Sequence, residues 1–155
     1  MSRAFVKEPD GEDSFEALPD RPISPHPNVV TPEGLAMIET TLEDLHRRYA
    51  EAQQSADRAA LAALARDLRY WTARRSSAQV APPPQHQGEV AFGSTVTMLR
   101  DDGRRQTYRI VGEDEADPAR GTISYVSPVA RALVGKKVGD VVTAGQDDAE
   151  IVEIK

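Results

Sequence analysis

The side chains whose type and spacing can do chemistry here are carboxylates and guanidiniums, gathered in two clusters. Four acids, Glu113, Asp114, Glu115 and Asp117, crowd together after a β-prone run and directly before Pro118. Such a cluster suits an acidic docking edge for a basic protein, or a weak divalent-cation site; the alternative is a solvated acidic loop. The second cluster is basic: Arg58, Arg66, Arg69, Arg74 and Arg75 stand against the single acid Asp67. Within it Arg66, Arg69 and Arg74 can face RNA or an acidic protein surface, the alternative being the solvated face of a helix built from good helix formers.

Catalytic patterns do not accompany these clusters. The sequence contains no G-x-S-x-G elbow, no phosphate-cradling glycine loop and no H-E-x-x-H. His26, His46 and His86 fall in three different segments, and there is no cysteine, which excludes a disulfide framework and a thiolate metal site. No catalytic residue, metal or cofactor is therefore assigned, and the chain is not read as an enzyme. A net charge of −6 argues against tight, sequence-specific binding to duplex DNA. No apolar run approaches the roughly 18 residues that a membrane span needs, and no signal peptide opens the chain, so a soluble, cytoplasmic protein with no membrane contact is expected.

The basic cluster needs a helix to hold it. Thr31 is placed to cap a helix N-terminus and Pro32 to occupy its first position. From there Leu35, Ile38, Leu42, Leu45, Tyr49 and Ala52 recur at alternating spacings of three and four, and the same rhythm returns in Leu61, Leu64, Leu68, Trp71, Arg75 and Ala78. Two such stripes joined by a short loop predict an antiparallel coiled-coil hairpin over 31–78, with Ser55, Ala56, Asp57, Arg58 and Ala60 at its tip. Trp71 is expected in the hairpin core.

The acidic cluster needs a sheet. Short β-prone runs are predicted at 89–92, 94–100, 106–111, 122–126, 140–144 and 149–154, punctuated by turn residues such as Asp101-Asp102-Gly103. Ser127 and Pro128 open a short helix that Gly135 closes. The fold class is therefore α+β: an N-terminal helical hairpin and a C-terminal antiparallel sheet with one short helix. Residues 1–30, rich in proline and acids, read as an extended and largely disordered arm, 79–88 as a stiff polyproline linker, and 89–155 as the sheet domain.

Phe92-Gly93-Ser94-Thr95-Val96-Thr97, the run Ile110-Val111-Gly112-Glu113-Asp114-Glu115-Ala116-Asp117, and Ser127-Pro128-Val129-Ala130-Arg131-Ala132-Leu133-Val134-Gly135-Lys136 together resemble the C-terminal domain of GreA/GreB-type transcription elongation factors. The resemblance covers about half the chain, from Ala78-Gln79-Val80 onward. It implies an FKBP-like domain that docks at the secondary channel of bacterial RNA polymerase, with Asp114, Asp117, Ser127, Pro128, Val129 and Leu133 as the docking positions. In that family the hairpin tip carries Asp-x-x-Glu-Asn-Ala and helps hold the magnesium ion that cleaves backtracked RNA. Here Asp57 matches the Asp, but Ala60 stands on the Glu and Leu61 on the Asn. The second arm is also about ten residues short, or ~15 Å of helix.

The resemblance thus implies a polymerase-binding regulator of elongation that does not stimulate transcript cleavage. It would act as a monomer that can contact RNA in the elongation complex. The alternatives are a cleavage factor in which Asp57 works with Glu51 or with polymerase carboxylates, a prolyl isomerase using Phe92, Tyr108 and Tyr125, and a helical scaffold.

Overall fold

The computed structural model describes residues 18–155. Their contacts divide into two compact units, one of 18–25 with Ile38–Ser76 and one of His26–Met37 with Ser77–Lys155. Among the described residues, no helix is long and apolar enough to cross a membrane.

The first unit is the hairpin. Helix α1 (Pro32–Ser55) and helix α2 (Arg58–Ser77) are joined by only two residues, Ala56 and Asp57, so α1 runs beyond Ala52, the last residue of its predicted stripe. Leu45, Ala52 and Leu64 are buried between the helices, and Tyr49, Ala60, Leu61, Leu68 and Trp71 pack against them. The stripe departs from the predicted heptad at its end: Arg74 is 2% exposed, while Arg75 lies outside and pairs with Glu39 at 3.0 Å. A straight helix advances 3.6 residues per turn, so a strict 3.5 repeat drifts off the seam over several turns.

The link between the helices is an αL turn on a residue that dislikes it. Ala56 has φ 52°, and the Asp57 amide donates to the Ala52 carbonyl at 3.1 Å. Glycine adopts that conformation without the Cβ penalty. We expect Ala56→Gly to raise the unfolding free energy by about 0.5–1 kcal/mol, read as a higher urea midpoint at unchanged slope.

The second unit is a five-stranded sheet in the order β5-β4-β3-β7-β6. Its strands are β3 (Thr95–Arg100), β4 (Arg105–Val111), β5 (Thr122–Ser124), β6 (Val141–Ala144) and β7 (Asp147–Ile154). Helix α3 (Pro128–Leu133) lies between β5 and β6 in the chain. Period-two alternation puts Val96, Met98, Ile110, Val142, Ala144, Ala149 and Ile151 on the covered face, where Ala130 and Leu133 of α3 join them. Ile154 joins the same face although it lies three residues beyond Ile151, because the β3–β7 ladder shifts register between Thr97 and Met98. Val152 is the extra residue of a bulge there, which restores the inward phase.

The sheet is not wholly antiparallel, as expected from sequence, but mixed. β5 runs parallel to β4, with Arg109 opposite Thr122 and Val111 opposite Ser124. The chain between them contains no tight hairpin turn; it travels through two 3-10 turns, Glu113–Glu115 and Pro118–Arg120, and arrives running in the same direction. The run at 89–92 is irregular chain rather than a strand, with a turn only at its end, Phe92-Gly93. Gly93, at φ 87°, reverses the chain immediately before β3, and Val90 instead exchanges backbone hydrogen bonds with Gly135 and Lys136.

Two further corrections concern the flanking segments. Residues 29 and 30 are not part of a free arm: strand β1 (Val29–Val30) pairs in parallel with β2 (Gln79–Val80), so the first two residues assigned to the polyproline linker are strand. Asn28 and Val30 are buried, at 5% and 1% exposure. Residues 18–28 are likewise placed, and the part of the proposed arm at 1–17 lies outside the described residues.

Candidate docking site

The four acids that the sequence groups together have separate surroundings. Glu115 is turned inward. Its Oε2 accepts the Thr31 amide and the Gly112 amide, each at 3.0 Å, and its Oε1 accepts the Thr31 hydroxyl. That hydroxyl in turn accepts the Gly34 amide at 3.0 Å, so Thr31 caps α1 as its sequence position predicts. The fit is close: a Cβ on Gly34 would stand 2.1 Å from the Glu115 carboxyl carbon, and one on Gly112 would stand 2.5 Å from the Val29 carbonyl oxygen.

Asp117 faces outward, its side chain 49% exposed and 3.5 Å from the Arg120 guanidinium. Asp114, Glu115 and Asp117 line a groove of about 550 Å³ together with Glu33, Arg109 and Arg120. On its wall Glu33 lies 3.4 Å from Arg109. Glu33 is held below the usual carboxylate range, first by a backbone hydrogen bond at the start of α1 and then by the Arg109 charge. The groove therefore carries charges of both signs rather than a plain acidic edge.

The residues around α3 also divide. Ser127 is the helix N-cap, its hydroxyl accepting the Ala130 amide at 3.3 Å, and Pro128 occupies the first helical position, exposed. Val129 is partly buried against the sheet core. Leu133 is 0% exposed and belongs to that core, which corrects its assignment as a docking residue. The apolar side chain beside it that reaches the surface is Val134, at 47% exposed. A six-residue helix has only one covered stripe, and Val134, at its C-cap, falls outside it.

Val134 opens onto a second groove of about 430 Å³, lined also by Phe92, Tyr125, Val126, Arg131 and Pro27. Phe92 and Tyr125 meet edge to face with centroids 5.7 Å apart, and the Tyr125 hydroxyl donates to the Pro27 carbonyl. Tyr108, the third aromatic of the isomerase reading, is not among the residues lining this groove; it packs on the core.

At the hairpin tip, Ser55, Ala56, Asp57 and Arg58 are exposed and Ala60 is half-buried. The Asp57 carboxylate accepts the Ala60 amide at 3.1 Å, as an N-cap of α2. Glu51, one turn before the tip, is engaged by Arg47 at 3.0 Å. Of the three arginines assigned to RNA, Arg74 is buried and does not face solvent, which corrects that assignment. Arg66 and Arg69 reach the surface, with side chains 35% and 46% exposed.

Residues 84–155, which hold the mixed sheet, the acidic 3-10 turn and the Ser-Pro-capped short helix, match the family model described as the C-terminal region of the transcription elongation factors GreA and GreB. Over this region the chain is similar to members of that family. It is 49% identical over 87 residues to transcription elongation factor GreA of Alkalilimnicola ehrlichii, covering 52% of this chain and 55% of that one. It is 42% identical over 96 residues to GreB of Neisseria meningitidis serogroup B, covering 58% and 59%. The match thus spans a little over half the length of these relatives. Among solved structures it is similar to GreA factor homolog 1 of Thermus thermophilus, at 21% identity and TM-score 0.42 over 84% of this chain and 99% of that one. A GreA/GreB factor of Nitrosomonas europaea compares at 20% identity and TM-score 0.41, over 82% and 98%.

Proposed function

We propose that this chain is a regulator of transcription elongation that binds bacterial RNA polymerase at its secondary channel through the sheet domain and does not stimulate transcript cleavage. The observation that carries the second half of this reading is the state of the tip. Its only carboxylate, Asp57, is committed to the Ala60 amide, and the flanking Ser55, Ala56, Arg58 and Ala60 supply no other. A magnesium ion favours several oxygen ligands in strict octahedral geometry, and a lone carboxylate engaged as a helix cap is a poor contribution to it. The outward Asp117, the neighbouring Asp114 and the exposed Pro128 support docking, because charge at an interface rim sets encounter and register.

The test is equilibrium binding of the labelled protein to purified core polymerase, followed by incubation with a stalled, backtracked elongation complex. We expect a dissociation constant near or below ~1 μM, about −8 kcal/mol, weakened at least about tenfold by Asp114→Arg. The nascent transcript should keep its length. Shortening that Asp57→Ala abolishes would replace this reading by that of a cleavage factor, and absence of saturable binding would remove polymerase as the partner.

A further inference from the structure

The arginine cluster on α2 is partly covered by the chain's own N-terminal segment. Asp20 lies 2.5 Å from the Arg69 Nε, and the Leu18 carbonyl accepts from the same guanidinium at 3.2 Å. In the opposite sense, Arg21 lies 3.4 Å from Asp67. Its guanidinium sits over the Tyr70 ring at 4.0 Å from the centroid and 5.9 Å from that of Trp71. An Asp-Arg pair on the segment thus meets an Asp-x-Arg pair on the helix, each charge matched by its opposite. Asp20 and Arg21 act through charge, and their side chains remain 72% and 39% exposed. Contacts of this kind are individually weak and screened by salt, and a cation–π contact at an exposed site adds only modestly to them.

We propose that residues 18–21 form an ionic latch that masks Arg69, Tyr70 and Trp71 and is released by salt or by a competing anion. When the latch is closed, Arg69 carries a carboxylate and a carbonyl in place of an external partner. Opening it releases the Arg69 guanidinium and uncovers the Tyr70 ring, groups of the kinds that engage a phosphate and an unstacked base. That last consequence rests on the reading of Arg69 as RNA-facing, and the test separates the two.

Trp71 is the only tryptophan in the sequence, so its fluorescence reports the latch without labelling. Acrylamide quenching is measured on the full chain, on Asp20→Arg, on Arg21→Glu and on the charge swap Asp20→Arg with Arg69→Asp, with far-ultraviolet circular dichroism confirming the hairpin in each. The quenching constant should rise at least about twofold in both single variants and in wild type taken from 0.05 to 1 M NaCl, and return toward the wild-type value in the swap. Equal quenching in wild type and Arg21→Glu, or a swap no better than Asp20→Arg, overturns the latch. Anisotropy of a labelled oligouridylate is followed in parallel, and Asp20→Arg should bind it at least about fivefold more tightly than wild type. A variant with raised quenching and unchanged oligouridylate binding keeps the latch and removes RNA as what it guards.

Discussion

Replacing Glu115 by alanine is expected to lower the unfolding free energy by about 3 kcal/mol, although the residue sits in a cluster that sequence inspection reads as solvated or docking-related. The substitution strips the hydrogen-bond acceptor from the Thr31 amide, the Thr31 hydroxyl and the Gly112 amide at once. Thr31 is 2% exposed and Gly112 is buried, so water replaces the lost oxygens poorly. Each unsatisfied buried donor costs about 1–3 kcal/mol. The isosteric Glu115→Gln should be far milder, at about 1 kcal/mol. Its carbonyl can take the position of Oε2 and accept both amides, and its NH2 can donate to the Thr31 oxygen, leaving only the hydroxyl proton displaced. Chemical denaturation of the two variants decides the matter: equal losses would mean that the carboxylate charge, rather than its acceptor geometry, holds the loop.

Leu133→Ala is the second large effect, at about 2–5 kcal/mol, the range for emptying a packed leucine site. The residue is fully buried in the cluster with Val96, Met98, Ile110 and Ile151, and α3 offers little else to fill the space. Pro128→Ala is the contrasting control. Pro128 is exposed at the first position of a helix already capped by Ser127, so stability should change by less than about 0.5 kcal/mol. If both substitutions weaken polymerase binding, only the Pro128 variant reports on the interface; the Leu133 variant reports on the domain that carries it. A Leu133→Ala protein with wild-type stability would return this residue to the surface.

These two residues also mark where sequence reading succeeded and where it stopped. The hairpin was legible because both stripes run for several turns, long enough for periodicity to outweigh individual residues. The Ser127-Pro128 cap and the Thr31-Pro32 cap were legible because capping is a local matter between a hydroxyl and an amide three residues on. Glu115 was not, since its partner Thr31 lies 84 residues away and nothing in an acidic run shows which member turns inward. The parallel pairing of β5 was hidden for a similar reason: a strand of three residues carries no mark of its direction, which the two preceding 3-10 turns decide. Strands β1 and β2, two residues each and set among prolines, fall below the length at which alternation can be seen. Arg74 and Arg75 show the reverse limit. Either fits the stripe, and only packing selects the one that is buried.

The small parallel ladder of Val29–Val30 with Gln79–Val80 bears on how hairpins can be exchanged on this sheet domain. A chimera that exchanges hairpins between relatives would naturally be cut where the helices begin and end, at Pro32 and Ser77. A cut at Pro32 separates Thr31 from the helix it caps and brings a foreign residue to position 34, where the Glu115 carboxylate tolerates no side chain. The workable seams lie after Met37 and before Ser77, so that His26–Met37 travels with the sheet domain as its own grafted segment. Hairpins grafted at those seams can be exchanged without touching the Thr31–Glu115 junction, which makes the tip chemistry a cassette that can be tested on one unchanged sheet domain.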